Sequence, residues 1–341
     1  MLGSGQIRAK VVLSLIFGVV VIAGVSFFAD VPRLLQALRQ FPWGLLPAIL
    51  GLTLLNYGLR FVKWDYYLHR LGLAVPRLVS LKIFVAGLSM AITPGKVGEL
   101  LKSYLLKRYN GSPISRTAPI IMAERVTDGL AMLILAAGGL ALTGIGWQGL
   151  LAILLAATAL IGVIQYRPLA LVLLGWGERL PVVRRFAGGL RAFYESAYVL
   201  LGFRPLLLAV TIGLVSWSGE CVAFYLVLVG LGVPASWTLL VQAAFILATS
   251  TLIGSVTGLP GGLGSADLSI LGLIVALVTR DTTVAGAATL LIRFCTLWFG
   301  VSLGAIGLLV FRRSLLKAGD GFSGSHDDKD AAEPETVAVA E

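Results

Sequence analysis

The residues able to do chemistry in this chain are charges sunk in apolar sequence. Arg60, Lys63, Lys96, Glu99, Lys102, Glu124, Arg125, Asp128, Glu220, Asp267 and Arg293 all fall within or beside stretches greasy enough to lie in a bilayer. A charge facing hydrocarbon costs at least about 2.5–3.5 kcal/mol on insertion scales, so such groups pair with one another or cluster around function. Glu124 and Asp128 stand four residues apart on one helical face, with Arg125 adjacent. The functional reading is a polar cavity in which Arg and Lys grip a phosphate while carboxylates orient them or bind a cationic group. The structural alternative is a set of ion pairs, Glu99 with Arg125 for example, that hold the fold. Arg60, Lys63 and Trp64 are also accounted for by snorkelling from a helix end. Asn56 and Tyr57 lie deeper, where interhelical hydrogen bonding competes with substrate contact.

Covalent chemistry has little support. Lys96 is followed by valine, so no nucleotide-binding G-x-x-x-x-G-K-[ST] loop exists there. His69 and His326 are far apart, and neither is placed to serve a serine or cysteine nucleophile. Cys221 and Cys295 sit in apolar segments as small packing residues. No metal or cofactor is implied. A "DKD" triplet near the C-terminus matches a nucleotide-sugar pattern only by chance.

The elements that must position these charges are two interruptions. "TPGKVG" (93–98) supplies Pro94, Gly95, Lys96 and Gly98, and "LPGGLG" (259–264) supplies Pro260, Gly261, Gly262 and Gly264. Both read P-G-x-apolar-G, and each is followed at nearly equal distance by an intramembrane arginine, Arg125 or Arg293. Non-helical backbone at membrane depth survives only where protein or a water-filled cavity surrounds it. Half-helix ends there present unpaired N–H groups and a positive dipole end, which suits an anion.

Composition sets the frame. Of 341 residues, 57% are hydrophobic and 13% charged, with mean hydropathy +0.92. Soluble domains average about 25% charged residues, so this is an integral membrane protein. The net charge of +10 is concentrated between apolar segments, as in cytoplasmic loops beside anionic lipid, and not on a nucleic-acid-binding face. Full-length apolar segments run over about 11–29, 45–68, 117–141, 147–165, 204–230 and 283–311. The pairs 79–93 with 99–108, and 236–258 with 265–279, read as broken hairpins. A run of about 15 residues covers only about 22 Å of a core roughly 30 Å thick.

The expected fold is therefore an all-α polytopic membrane protein with about six full transmembrane helices plus two broken re-entrant hairpins. The hairpins form inverted repeats, in halves of about 45–141 and 204–311, because an odd number of crossings separates them. Loop charges place both termini in the cytoplasm. The first apolar segment reads as a retained helix, residues 184–203 as an interfacial amphipathic helix, 1–317 as one domain, and 318–341 as a disordered acidic tail.

With "TPGKVGELLK" (93–102), "ERVTD" (124–128), "PGGLG" (260–264) and "RFCTLWFG" (293–300) together, the chain resembles the transmembrane region of lysylphosphatidylglycerol synthases. That is the flippase-like group of UPF0104-type integral membrane proteins, and the resemblance covers roughly residues 10–313. It implies a bacterial or archaeal inner-membrane protein. The best-understood members move aminoacylated phosphatidylglycerol between leaflets, others are associated with hopanoid or polyprenyl-linked glycan pathways, and some archaeal relatives are described as dolichol-linked glycosyltransferases. After residue 313 only a short tail follows, without room for a soluble aminoacyl-transferase domain, so lysyl-lipid synthesis is not expected.

The expected function is translocation of an anionic phospholipid or a polyprenyl-phosphate-linked lipid between leaflets. The residues expected to contact it are those of the two interruptions with Arg60, Glu99, Lys102, Glu124, Arg125, Asp128, Glu220, Asp267 and Arg293. The rivals are a membrane glycosyltransferase using a polyprenyl-phosphate sugar donor, with Glu99, Glu124 or Asp128 as base, and a scaffold for envelope assembly. Expected partners are the bilayer, a lipid with a phosphate headgroup, and separate lipid- or glycan-synthesising enzymes, with no nucleic acid.

Overall fold

A computed structural model describes residues 31–93, 98–143, 147–178 and 187–323, and every regular element among them is helical. The first apolar segment (11–29), Pro94, Gly95 and Lys96 of the first interruption, and the chain from 324 onward lie outside the described residues.

The order begins with a short helix α1 (Val31–Gln40), a single turn at Trp43–Leu45, and α2 (Leu46–Arg70). Next come α3 (Arg77–Leu88), α4 (Leu101–Asn110), α5 (Ile114–Thr143), α6 (Trp147–Gln165), α7 (Arg167–Glu178) and α8 (Ala187–Leu200). The second part holds α9 (Phe203–Gly230), α10 (Trp237–Val256), α11 (Ser265–Leu277) and α12 (Thr282–Arg293). A π-helical turn, Phe294–Trp298, leads into α13 (Phe299–Ser323), which runs into the segment expected to be tail.

Among the described residues six stretches are long and apolar enough to cross a membrane: Trp43–Arg70, Trp147–Gln165, Phe203–Gly230, Trp237–Val256, Pro260–Leu277 and Thr282–Phe311. Helix α5, over the expected crossing 117–141, has 30 residues, carries Glu124, Arg125 and Asp128, and packs against α2, α8, α9 and α10. The two interrupted elements differ in length. Helix α3 has 12 residues, about 18 Å and short of a bilayer core, whereas α10 has 20, about 30 Å.

Local sequence accounts for the helix ends. Helix α2 stops at Gly72 and α9 at Gly232, both with positive φ that glycine adopts without a Cβ penalty. The bonds around these two ends match one for one: Leu73 N–H donates to Leu68 O and Val233 N–H to Leu228 O, both at 3.0–3.1 Å. Ser236 caps α10 by accepting from Leu239 N, and Asp281 caps α12 by accepting from Thr283 N and Val284 N.

Among the described residues two large apolar cores form, with a small third cluster at Leu34 and Ala287. One gathers Met132, Phe224, Phe245, Ile246 and Ile292, and the other gathers Trp64, Tyr67, Leu68, Ile83, Leu106 and Ile120. Cys221 and Cys295 are buried in the first. Of the segment expected at the interface, α8 is described, and it buries Tyr194, Ala197 and Leu200.

Candidate functional site

In the first half, acids and bases are knotted together. Helix α4 carries Lys102 and helix α5 carries Glu124, and the two meet at 2.5 Å with both side chains buried. The Lys102 ammonium also lies 4.4 Å from the centre of the Trp64 ring and 5.5 Å from that of Phe84. Desolvated contacts of this kind are worth about 2 kcal/mol. Gly87 makes this possible, because a Cβ there would lie 2.6 Å from the Lys102 Cγ. Lys63, fully buried on α2, pairs with Asp128 and reaches Thr127 Oγ1 at 3.4 Å. Arg125 stands 3.5 Å from Glu99 and 3.5 Å from Asp128. Just after the interruption, Gly98 N–H donates to Thr93 Oγ1 at 2.9 Å, and no Cβ would fit at Gly98 against Thr93 and Met90.

The second half relies on backbone. Gly258, Gly261, Gly262 and Gly264 all have positive φ. Asp267 accepts the Gly264 N–H at 2.8 Å with one oxygen and pairs with Arg293 Nε at 2.7 Å with the other. Arg293 Nη2 donates to the Gly261 carbonyl at 2.7 Å, so one side chain holds both the acid and the turn. The Gly262 backbone approaches Gly254 so closely that a Cβ at 262 would sit 3.1 Å from the Gly254 Cα. The Tyr57 hydroxyl donates to the Thr296 carbonyl at 2.7 Å, supplying a partner inside the π turn.

Between the halves lies a cavity of about 140 Å³. Its charged lining is Arg60, Glu99, Lys102, Arg125, Glu220 and Arg293, and Gly261 and Gly262 form part of its wall. Asn56 Nδ2 donates to Ser216 O, and Ser216 Oγ donates back to Asn56 O, across an offset of 160 residues. The same offset relates Tyr57 to Trp217, Arg60 to Glu220 and Gly87 to Leu247, and all six line the cavity. Glu99 precedes Arg125 by the same number of residues as Asp267 precedes Arg293, and each acid pairs with its arginine.

The structure brings most of the sequence-derived residues together, forms the expected Glu99–Arg125 pair and adds partners for the others. Glu124 and Asp128 sit behind the cavity wall, engaged by Lys102 and Lys63, and Asp267 stands behind Arg293. Pro260 opens the short turn Pro260–Gly262, and Gly264 precedes α11. Lys63 and Trp64 do not snorkel: both are fully buried, because Asp128 and Lys102 give them partners inside. Arg60 lines the cavity. Asn56 makes an interhelical bond. Sequence reasoning passed over Gly87 and Trp217; the matched offset between α2 and α9 is the signal that points to Trp217.

The fold and site define a multi-pass helical membrane protein with an ion-paired polar cavity between its halves. Over residues 15–304 the chain matches the lysylphosphatidylglycerol synthase TM region, and it belongs to that family. Two proteins of Methanothermobacter thermautotrophicus, each described as a UPF0104 membrane protein, are similar to it. One is 25% identical over 301 residues, covering 80% of this chain and 85% of the relative. The other is 25% identical over 336 residues, covering 90% and 97%.

Proposed function

We propose that this chain is a lipid translocator of the cell membrane. An anionic headgroup, of a phospholipid or a polyprenyl phosphate, passes through the cavity between two inverted, re-entrant halves. The asymmetry of loop charge supports cytoplasmic termini, and the matched offsets described above support a repeat. The observation that carries the reading is the charge inventory of the cavity. Lys102 is taken by Glu124, Arg125 by Glu99 and Asp128, and Arg293 by Asp267 and the Gly261 carbonyl. Arg60 lines the same space together with Glu220; it forms no close ion pair or hydrogen bond with a described residue, and its charge acts on Glu220 and Asp128 from a longer distance. A guanidinium offers five donors in a planar fork suited to phosphate oxygens.

The test is reconstitution of the pure protein into vesicles with a headgroup-labelled anionic lipid, scored by leaflet exchange. Arg60→Gln slows exchange at least about tenfold, the loss of one charge-assisted contact. Exchange at the wild-type rate in that variant, or none with the wild-type protein, overturns the reading.

A further inference from the structure

A second hollow lies on the outer side of Arg293. It measures about 320 Å³, and Leu38, Trp43, Leu290, Leu291, Phe294 and Trp298 form its apolar wall. Among the described residues its charged lining is Asp267 and Arg293, and Arg293 also lines the central cavity. Phe294 is 60% exposed and Trp43 48% exposed, so the rim opens outward and not into the bundle. We infer that this groove holds one hydrocarbon chain of an anionic bilayer lipid, with the lipid's phosphate end at Arg293. The inference rests on the translocation reading and adds to it the route by which the lipid comes to the cavity from the side.

The pairing of surfaces argues for that occupant. An apolar trough that ends at the Arg293–Asp267 pair, with guanidinium donors left over, matches a molecule that is hydrocarbon along its length and anionic at one end. Two nitrogens of Arg293 are engaged, Nε by Asp267 and Nη2 by the Gly261 carbonyl, and the group carries five N–H donors in all. The rival occupant is the chain's own apolar segment 11–29, which precedes α1. That segment contains no acidic residue of its own and only Asp30 follows it, so it would cover the wall without bringing a phosphate to Arg293.

The full-length protein is placed in vesicles containing phosphatidylglycerol with a photoactivatable diazirine near the end of one acyl chain. After irradiation, adducts are mapped by mass spectrometry. Adducts concentrate at Leu290, Phe294 and Trp298, and Leu290→Trp, which fills the trough, lowers them at least about tenfold (about 1.4 kcal/mol in occupancy). Adducts spread over the outer face of α6 with no enrichment in the groove overturn the inference. So does a disulfide between cysteines introduced by Val20→Cys and Leu290→Cys in a Cys221→Ala, Cys295→Ala background, since the chain itself then fills the space. Leaflet exchange without groove adducts removes this inference and leaves translocation standing. Groove adducts without exchange do the reverse.

Discussion

Around residues 98–128, side-chain charges hold one another in place; around 258–293, the backbone holds them. In the first region Lys63, Lys102 and Arg125 are matched by Asp128, Glu124 and Glu99, and no described glycine between Leu88 and Gly111 has positive φ. In the second region Ile270 and Ile292 stand where the first has Lys102 and Glu124, counting from the paired acids Asp267 and Glu99. There, four glycines with positive φ and the Arg293–Gly261 bond fix the turn. Two segments with a similar sequence pattern are thus secured by different means. The first holds three paired cations where the second holds one, and the second holds four glycines with positive φ, although a Cβ would clash at Gly98 as well as at Gly262.

That contrast can be broken by substitution. Glu124→Gln leaves the Lys102 ammonium buried without its carboxylate, and breaking a buried pair costs about 3–5 kcal/mol. Thermal unfolding in detergent is expected to show it, and the paired change Lys102→Met with Glu124→Leu is expected to recover most of the loss. Wild-type stability in Glu124→Gln would remove the distinction. The second region is expected to tolerate the equivalent change better. Asp267→Asn keeps an acceptor for Gly264 N–H and loses one charged contact, about 1.5–3 kcal/mol on the same assay.

Smaller still is Gly262→Ala. Its φ of +66° is strained for alanine, at about 1–2 kcal/mol, and the new Cβ meets Gly254. A change of that size at 262, with no gain in stability from glycine elsewhere in the first region, would sharpen the comparison. Arg60→Gln removes a longer-range attraction to Glu220 and Asp128 but no close ion pair, and is expected to move unfolding by less than about 1 kcal/mol. Its effect belongs to lipid exchange.

Much of this arrangement was legible in the chain. The expected crossings at 45–68, 147–165 and 204–230 coincide closely with α2, α6 and α9. The second interruption was legible because Pro260 and the glycines around it end one helix and start another. Partner choice was less so. Glu124 and Arg125 are neighbours in sequence, but adjacent residues on a helix point about 100° apart. Arg125 meets Asp128, three residues on, and Glu124 turns to Lys102. The burial of Lys63 escaped for another reason. A lysine near a helix end is anchored by whatever faces it, and Asp128 arrives from a helix more than sixty residues downstream.

The π turn at Phe294–Trp298 carries a consequence for what this stretch can accept over time. A helix advances about 100° per residue, so one surplus residue rotates everything after it by that angle. Past the turn, Gly300 lies against the Tyr57 hydroxyl, Gly304 against the Leu88–Ser89 backbone and Gly307 against Val85, each with no space for a Cβ. Those glycines face their neighbours only because the surplus residue has geared α13 out of phase with α12. Removing any single residue from 294–298 would let the helix run regular and swing the glycine face away, although no contacting side chain had been changed. Substitutions here are negotiable. The count is not.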